Sequence, residues 1–217
     1  MRSFDAIHAI AAERHADLDE RIAAGGPSFP ADSDDRWLAG FTKAVFSAGF
    51  NWRVIEAKWD GFEAAFWGFD VGRCAMMSEE DLDSLVADTR IVRNGAKIQS
   101  VRDNAVMLQE LASTHGSATK AIAGWPDKDF IGLLSHLKRH GGRLGGTTAQ
   151  YALRFGGKSS FILSADVVAR LQAEGVIDKA PTSQKALVAV QTAFDTWQTQ
   201  SGRSLTEISR VLALSIG

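Results

Sequence analysis

The 217-residue chain holds one cysteine, one tyrosine and four prolines. The lone thiol, Cys74, excludes an intramolecular disulfide and any cysteine-rich zinc site. No run of 18 apolar residues occurs, so no transmembrane helix is expected. The opening Met1-Arg-Ser-Phe-Asp5 lacks the apolar core of a secretion signal, which with the single thiol points to the cytoplasm. Neither sign of charge is in excess: 24 Lys and Arg against 26 Asp and Glu leave a net charge of −2 at pH 7. That excludes a strongly basic protein but leaves room for a local basic face. What the chain does have is ordinary globular composition, 45% hydrophobic and 23% charged, with six Trp and twelve Phe. Disorder and collagen-like repeats are excluded on those grounds. The length suits residues 1–217 as a single domain, built as one body or as two helical lobes with a cleft between them.

Apolar residues recur at helical spacing almost throughout, and period-two alternation is scarce. A first helix is predicted over about 4–24, ended by Gly25-Gly26-Pro27, with Pro27-Ser-Phe-Pro30 as a loop. A second begins near Asp34 and carries Trp37, Leu38, Phe41, Val45 and Ala48 on one stripe. A third, rich in aromatics, covers 52–67. Ser78 followed by Glu79, Glu80 and Asp81 is a helix start, and Ser204-x-x-Glu207 reads as a capping box. Other helices carry Ile98 to Leu108, then Phe130 to Leu137 after Trp125-Pro126, and 147–155. Ser164 caps one more and Thr182 opens another. Gly141 to Gly146 interrupts the pattern. The expectation is an all-α bundle of about nine helices, with Trp37, Trp59, Trp67 and Trp197 in the core.

Two segments carry more than periodicity. One runs Ser47-Ala-Gly-Phe-Asn-Trp52, then Ser78-Glu-Glu-Asp-Leu82, then Ile91-Val-Arg-Asn-Gly-Ala-Lys97-Ile-Gln-Ser-Val-Arg-Asp-Asn-Ala105. The other is Leu137-Lys-Arg-His-Gly-Gly-Arg-Leu-Gly-Gly-Thr-Thr148. In order and spacing, A-G-x-x-W, I-x-R-x-x-x-K-I and G-G-T-T resemble the DNA-3-methyladenine glycosylase I family over about residues 35–155. That resemblance implies a helix-hairpin-helix DNA glycosylase fold. It also implies hydrolysis of the N-glycosidic bond of an alkylated purine such as 3-methyladenine, in base excision repair. Trp52 falls on the family's base-stacking aromatic, and 141–148 falls on its turn near the DNA. The family's base-recognising Glu falls on Ala44, its pocket tyrosines have no counterpart, and its Cys/His zinc site cannot form. The 3-methyladenine pocket is therefore not carried over residue by residue.

The residues themselves suit parts of that chemistry. An extruded base needs an aromatic wall, which Trp52 would give, although a Trp on a helical stripe is also a core residue. Glycosidic cleavage builds positive charge on the sugar, which a carboxylate stabilises. Asp166, at the start of the helix after the hairpin, is the catalytic candidate; Glu56, one turn after Trp52, joins it as a base-binding candidate. Asp166 equally fits a helix-start acid favoured by the dipole. The glycine-rich turn suits phosphate, with Gly145 and Gly146 backbone N–H groups and the Thr147 and Thr148 hydroxyls as donors. Lys138, Arg139 and Arg143 surround it, with His140, and Arg90, Arg93, Lys97 and Arg102 form a second cluster. His136 and His140, four residues apart, have no third partner for a metal. No cofactor or metal is expected. The expected partner is double-stranded DNA with an alkylated base, bound by a monomer away from any membrane. The enzyme would be monofunctional. The alternatives are a non-catalytic DNA-binding protein on the same scaffold and a helical interaction protein unrelated to DNA.

Overall fold

The computed structural model describes residues 1–24, 29 and 31–216. Among them are fourteen α-helices and no strand. In chain order these are α1 (Phe4–Arg14), α2 (Leu18–Ala23), α3 (Asp34–Ser47), α4 (Trp52–Ala57), α5 (Trp59–Ala65), α6 (Val71–Ala75) and α7 (Glu79–Ala87). There follow α8 (Gly95–His115), α9 (Ala118–Gly124), α10 (Phe130–His140), α11 (Thr147–Phe155), α12 (Ala165–Ala173), α13 (Gln184–Ser201) and α14 (Leu205–Leu214). The all-α class is as the periodicity predicts, but the count of nine is too low. The stretch 4–24 breaks at His15 into α1 and α2, and 52–67 breaks at Lys58 into α4 and α5. Two short helices, α6 and α9, add to the total. The loop expected at 27–30 lies outside the described residues except for Phe29, whose N–H donates to Phe155 O at 3.1 Å.

The chain divides into two compact units. A terminal unit comprises 1–28, 126–132 and 159–217; a central unit comprises 29–125 and 133–158. In the terminal unit α14 packs on α1, α2, α12 and α13. Phe130, Phe161, Phe194 and Trp197 form its aromatic core, with Phe161 and Phe194 stacked at 4.3 Å between ring centroids. Each such side chain contributes roughly 1.5–3 kcal/mol by leaving water. The start of the chain is held by polar contacts as well. The Trp197 indole N–H donates to Arg2 O (3.1 Å), and the Arg2 N–H and guanidinium donate to buried Glu174 (2.8 and 2.9 Å).

The central unit is organised on α8, which touches α3, α6, α7 and α9. Ile98, Val101, Ala105 and Leu108 make its buried stripe. Phe46, Phe62, Phe66 and Phe69 form a second apolar layer, with Trp59 stacked on Phe62 and on Phe69. Trp37 and Trp197 are buried as expected, whereas Trp59 and Trp67 are only half-buried. Ser78 with Asp81 and Ser204 with Glu207 both form reciprocal capping boxes. Cys74 is fully buried, and burial, with Asp70 and Asp35 nearby, pushes its thiol up to about 12. It is therefore an inert core residue.

Candidate nucleic-acid interface

The glycine-rich turn at 141–146 joins α10 to α11 within the central unit and is built onto α8. Asn104 of α8 grips it through both backbone groups of one residue: the Gly142 N–H donates to Oδ1 (2.8 Å), and Nδ2 donates to Gly142 O (3.2 Å). The approach leaves no space for a side chain, since a Cβ on Gly142 would lie 2.8 Å from Ser100 Cβ and 2.9 Å from Ser100 Cα. Leu144 is buried and pins the turn, while Arg143 takes a left-handed backbone conformation, φ 60°, that aims its side chain outward to solvent. Strain of that kind gathers where a chain must present a group. At the end of the turn Gly146 precedes α11 without any side-chain cap, so the first N–H groups of that helix are open to an external acceptor.

Beside the turn lies a hollow of about 410 Å³ lined by Val45, Ala48, Lys97, Arg143, Gly145 and Thr148. Two cations and a helix start thus face one space. The Lys97 ammonium donates to Phe46 O (3.0 Å) and Ala48 O (2.9 Å) at the end of α3. Burial, and then the Arg143 charge, hold its pKa below the ordinary lysine value. The two basic clusters of the sequence differ sharply in character. Lys138, Arg139 and Arg143 are exposed and make no ion pair among the described residues, leaving their charge available. In the second cluster Arg90 is bound by Asp88 (2.7 Å) and Arg102 by Glu79 (2.9 Å), while Arg93 is exposed and makes no ion pair among the described residues.

The turn between α3 and α4 presents two aromatics to solvent. Trp52, the first residue of α4, is 56% exposed, and Phe50 is 51% exposed. The Asn51 side chain accepts from Arg53 N and fixes the start of the helix. Trp52 is thus a surface ring and not a core one. Sequence reasoning passed over Phe50, although an apolar residue between Gly49 and a helix cap is a visible signal. Glu56 is exposed on α4 but is not a free acid: Lys43 binds it at 2.8 Å, and the same ammonium lies 4.6 Å from the Trp59 ring centroid. Ala44, on α3, offers no charge there.

Asp166 belongs to the terminal unit. It is exposed in the first turn of α12, which Ser164 caps through Val167 N (3.3 Å). His136 and His140 stack with ring centroids 4.5 Å apart, and Trp125 lies 5.6 Å from His136. Burial first, then His140, keeps the His136 pKa below its ordinary value. Among the described residues no three His, Cys, Asp or Glu side chains gather to hold a metal, and no helix is long and apolar enough to cross a membrane.

The fold is that of the all-α 3-methyladenine DNA glycosylases. One such crystal structure superposes with a TM-score of 0.51 at 24% identity, covering 59% of this chain and 81% of that one. The 3-methyladenine DNA glycosylase I of Staphylococcus aureus gives 0.52 at 21%, covering 60% and 79%. A single-residue variant of such an enzyme, in complex with 3-methyladenine, gives 0.53 at 19%, covering 64% and 86%. Residues 28–134, just under half of the chain, match the methyladenine glycosylase family model. DNA-3-methyladenine glycosylase 1 of Escherichia coli is 40% identical over 58 residues, 27% of this chain. That alignment spans 31% of the relative's length. The turn at 141–146 lies beyond the segment the family model matches.

Proposed function

We propose that the protein is a monofunctional, cofactor-free DNA glycosylase that releases an alkylated purine, 3-methyladenine or a close analogue, from duplex DNA. The observation that carries this is the pairing, in the unit that holds most of the segment matching the methyladenine glycosylase family model, of exposed Phe50 and Trp52 with a cation-lined hollow. DNA phosphates would rest on Lys138, Arg139 and Arg143. The backbone N–H groups of Gly145 and Gly146 and the start of α11 would add donors, with the Thr147 and Thr148 hydroxyls beside them. Such contacts position the duplex and read no sequence. Phe50 would fill the gap left in the stack, as apolar wedges do. Trp52 would stack on the extruded base, with Glu56 near its edge.

Chemistry then asks little of the protein. A base alkylated on a ring nitrogen is cationic and leaves as a neutral molecule when its bond to C1′ breaks. Water adds to C1′ and loses a proton. Asp166 is the carboxylate proposed to stabilise the positive charge on the sugar. The protein would act as a monomer and without a membrane.

Base release from methylated duplex, with products identified by mass, tests the reading. A purine released at a rate above that of the protein-free control is the expected result, and intact DNA at high protein concentration refutes it. Arg143→Glu should weaken duplex binding and flatten its salt dependence. One observation favours a second reading, a non-catalytic DNA-binding protein: Glu56, the carboxylate nearest Trp52 along α4, is already neutralised by Lys43. Salt-dependent duplex binding with no base release would establish that reading.

A further inference from the structure

Lys97 has two roles in the geometry of the central unit. It lines the hollow together with Arg143, Gly145 and Thr148. It also spends two of its three N–H donors on Phe46 O and Ala48 O, the carbonyls that close α3. Those groups carry the negative end of the helix dipole, and an ammonium there is favoured. Ala48 is where α3 stops, and only residues 49–51 separate it from Trp52. Gly49 within that stretch has φ 69° and no atom near its Cβ position, so the stretch has little packing of its own to hold it. A backbone bond from the Phe50 N–H to Ser47 O (3.0 Å) closes the turn locally, the Asn51 cap holds its far end, and Lys97 is the tie from outside the segment.

We infer that Lys97 is a positioning residue: by binding the last carbonyls of α3 it holds the turn that carries Phe50 and Trp52 at a set distance from the anion-accepting hollow. The inference rests on the reading of Trp52 as the stacking aromatic only for what the turn is used for. A phosphate oxygen entering the hollow meets Lys97 and Arg143 together, relieves their mutual repulsion and strengthens the ammonium that holds the turn. Binding of backbone phosphate and ordering of the base-stacking ring are thereby linked through one side chain. The groups that face the ammonium are the α3 carbonyls and, from the hairpin, Arg143, so loss of the Lys97 proton at alkaline pH takes the charge from both bonds and loosens the turn.

The test uses the full chain labelled with 5-fluorotryptophan, the Trp52 resonance being assigned by its loss in Trp52→Phe. In the wild type this resonance should move as the pH is raised, with a midpoint below that of an ordinary lysine. Lys97→Arg, which keeps its charge throughout, should abolish the transition. Lys97→Gln should show the alkaline position at every pH. In base release, Lys97→Gln should lower kcat/KM by at least about tenfold, as misplaced groups do. Its affinity for undamaged duplex should fall too, by the loss of one phosphate contact, but by less than kcat/KM does, and Lys97→Arg should restore most of both losses. A Trp52 resonance that does not move, or that moves alike in the wild type and Lys97→Arg, overturns the inference. If Lys97→Gln does not fold, the wild-type and Lys97→Arg titrations still decide. Absence of base release with the titration intact would refute the glycosylase reading and leave the role of Lys97 standing.

Discussion

Alanine at position 142 would put a methyl group into the backbone of α8. An ideal Cβ there lies 2.8 Å from Ser100 Cβ, 2.9 Å from Ser100 Cα and 3.0 Å from Asp103 Oδ2. The first two atoms belong to a helix held on four sides, so the turn must give way. Moving it stretches the 2.8 Å bond from the Gly142 N–H to Asn104. Overpacking of this kind costs about 1–3 kcal/mol, and a lost hydrogen bond adds about 1 kcal/mol. Alanine also gains about 0.4–1 kcal/mol by stiffening the unfolded chain. The expected net loss is about 1–3.5 kcal/mol. Gly145→Ala is the matched control, because its Cβ would meet only Lys138 Cγ at 3.8 Å, an ordinary contact. That variant should stay within about 0.5 kcal/mol of the wild type. Urea denaturation of the three proteins measures the difference. Anisotropy with a fluorescent duplex then reports whether the displaced turn binds DNA more weakly. Equal midpoints for the two variants would refute the argument that close contact with α8 builds the hairpin.

Three other outcomes follow from the structure. Asp166→Asn should slow base release by roughly two orders of magnitude, and Trp52→Ala should weaken capture of the damaged base by about 1–3 kcal/mol; both should spare binding to undamaged duplex, and full activity in either refutes its assignment. Burial alone would raise the Glu174 carboxyl, but the Arg2 N–H and guanidinium, with Arg170, outweigh it and hold it below its ordinary value. The stability this supplies is complete above the unfolded glutamate pKa of about 4.3 and fades as pH falls through the lower folded value, so Glu174→Ala should destabilise by on the order of 3 kcal/mol at neutral pH, and an unchanged melt sinks the assignment. Chelator should leave the melting temperature unchanged, because the chain's one thiol is sealed in the core; metal analysis showing stoichiometric zinc would show that wrong.

Features written in adjacent residues were legible in the sequence. Ser78 with Asp81 and Ser204 with Glu207 cap their helices because each motif is complete within four residues. The break at 141–146 needs only its glycines. What escaped was set by partners far along the chain. Asp34 reads as the first acid of its own helix, yet its carboxylate caps α9, accepting from Ala118 N and Thr119 N more than eighty residues later. Arg102 looks like a DNA-facing cation until Glu79, 23 residues earlier, is seen to bind it. The breaks at His15 and Lys58 carry no glycine or proline, so periodicity runs straight through them. Trp52 could be placed by resemblance but not its exposure, which depends on how α4 lies within its unit.

The division of the chain has a consequence for its synthesis. The central unit is nearly contiguous, and its strands of sequence are complete once residue 158 has left the ribosome. The terminal unit is not: Phe4 N–H awaits Gln200, and Arg2 awaits Glu174, across 196 and 172 residues. During translation the first helices must therefore wait, apolar faces uncovered, until α12, α13 and α14 emerge. Long-range closure of this sort is slow and leaves the nascent chain open to misassociation. The order of birth thus runs from the inside of the sequence outward, with the central unit finished while α1 is still unpartnered.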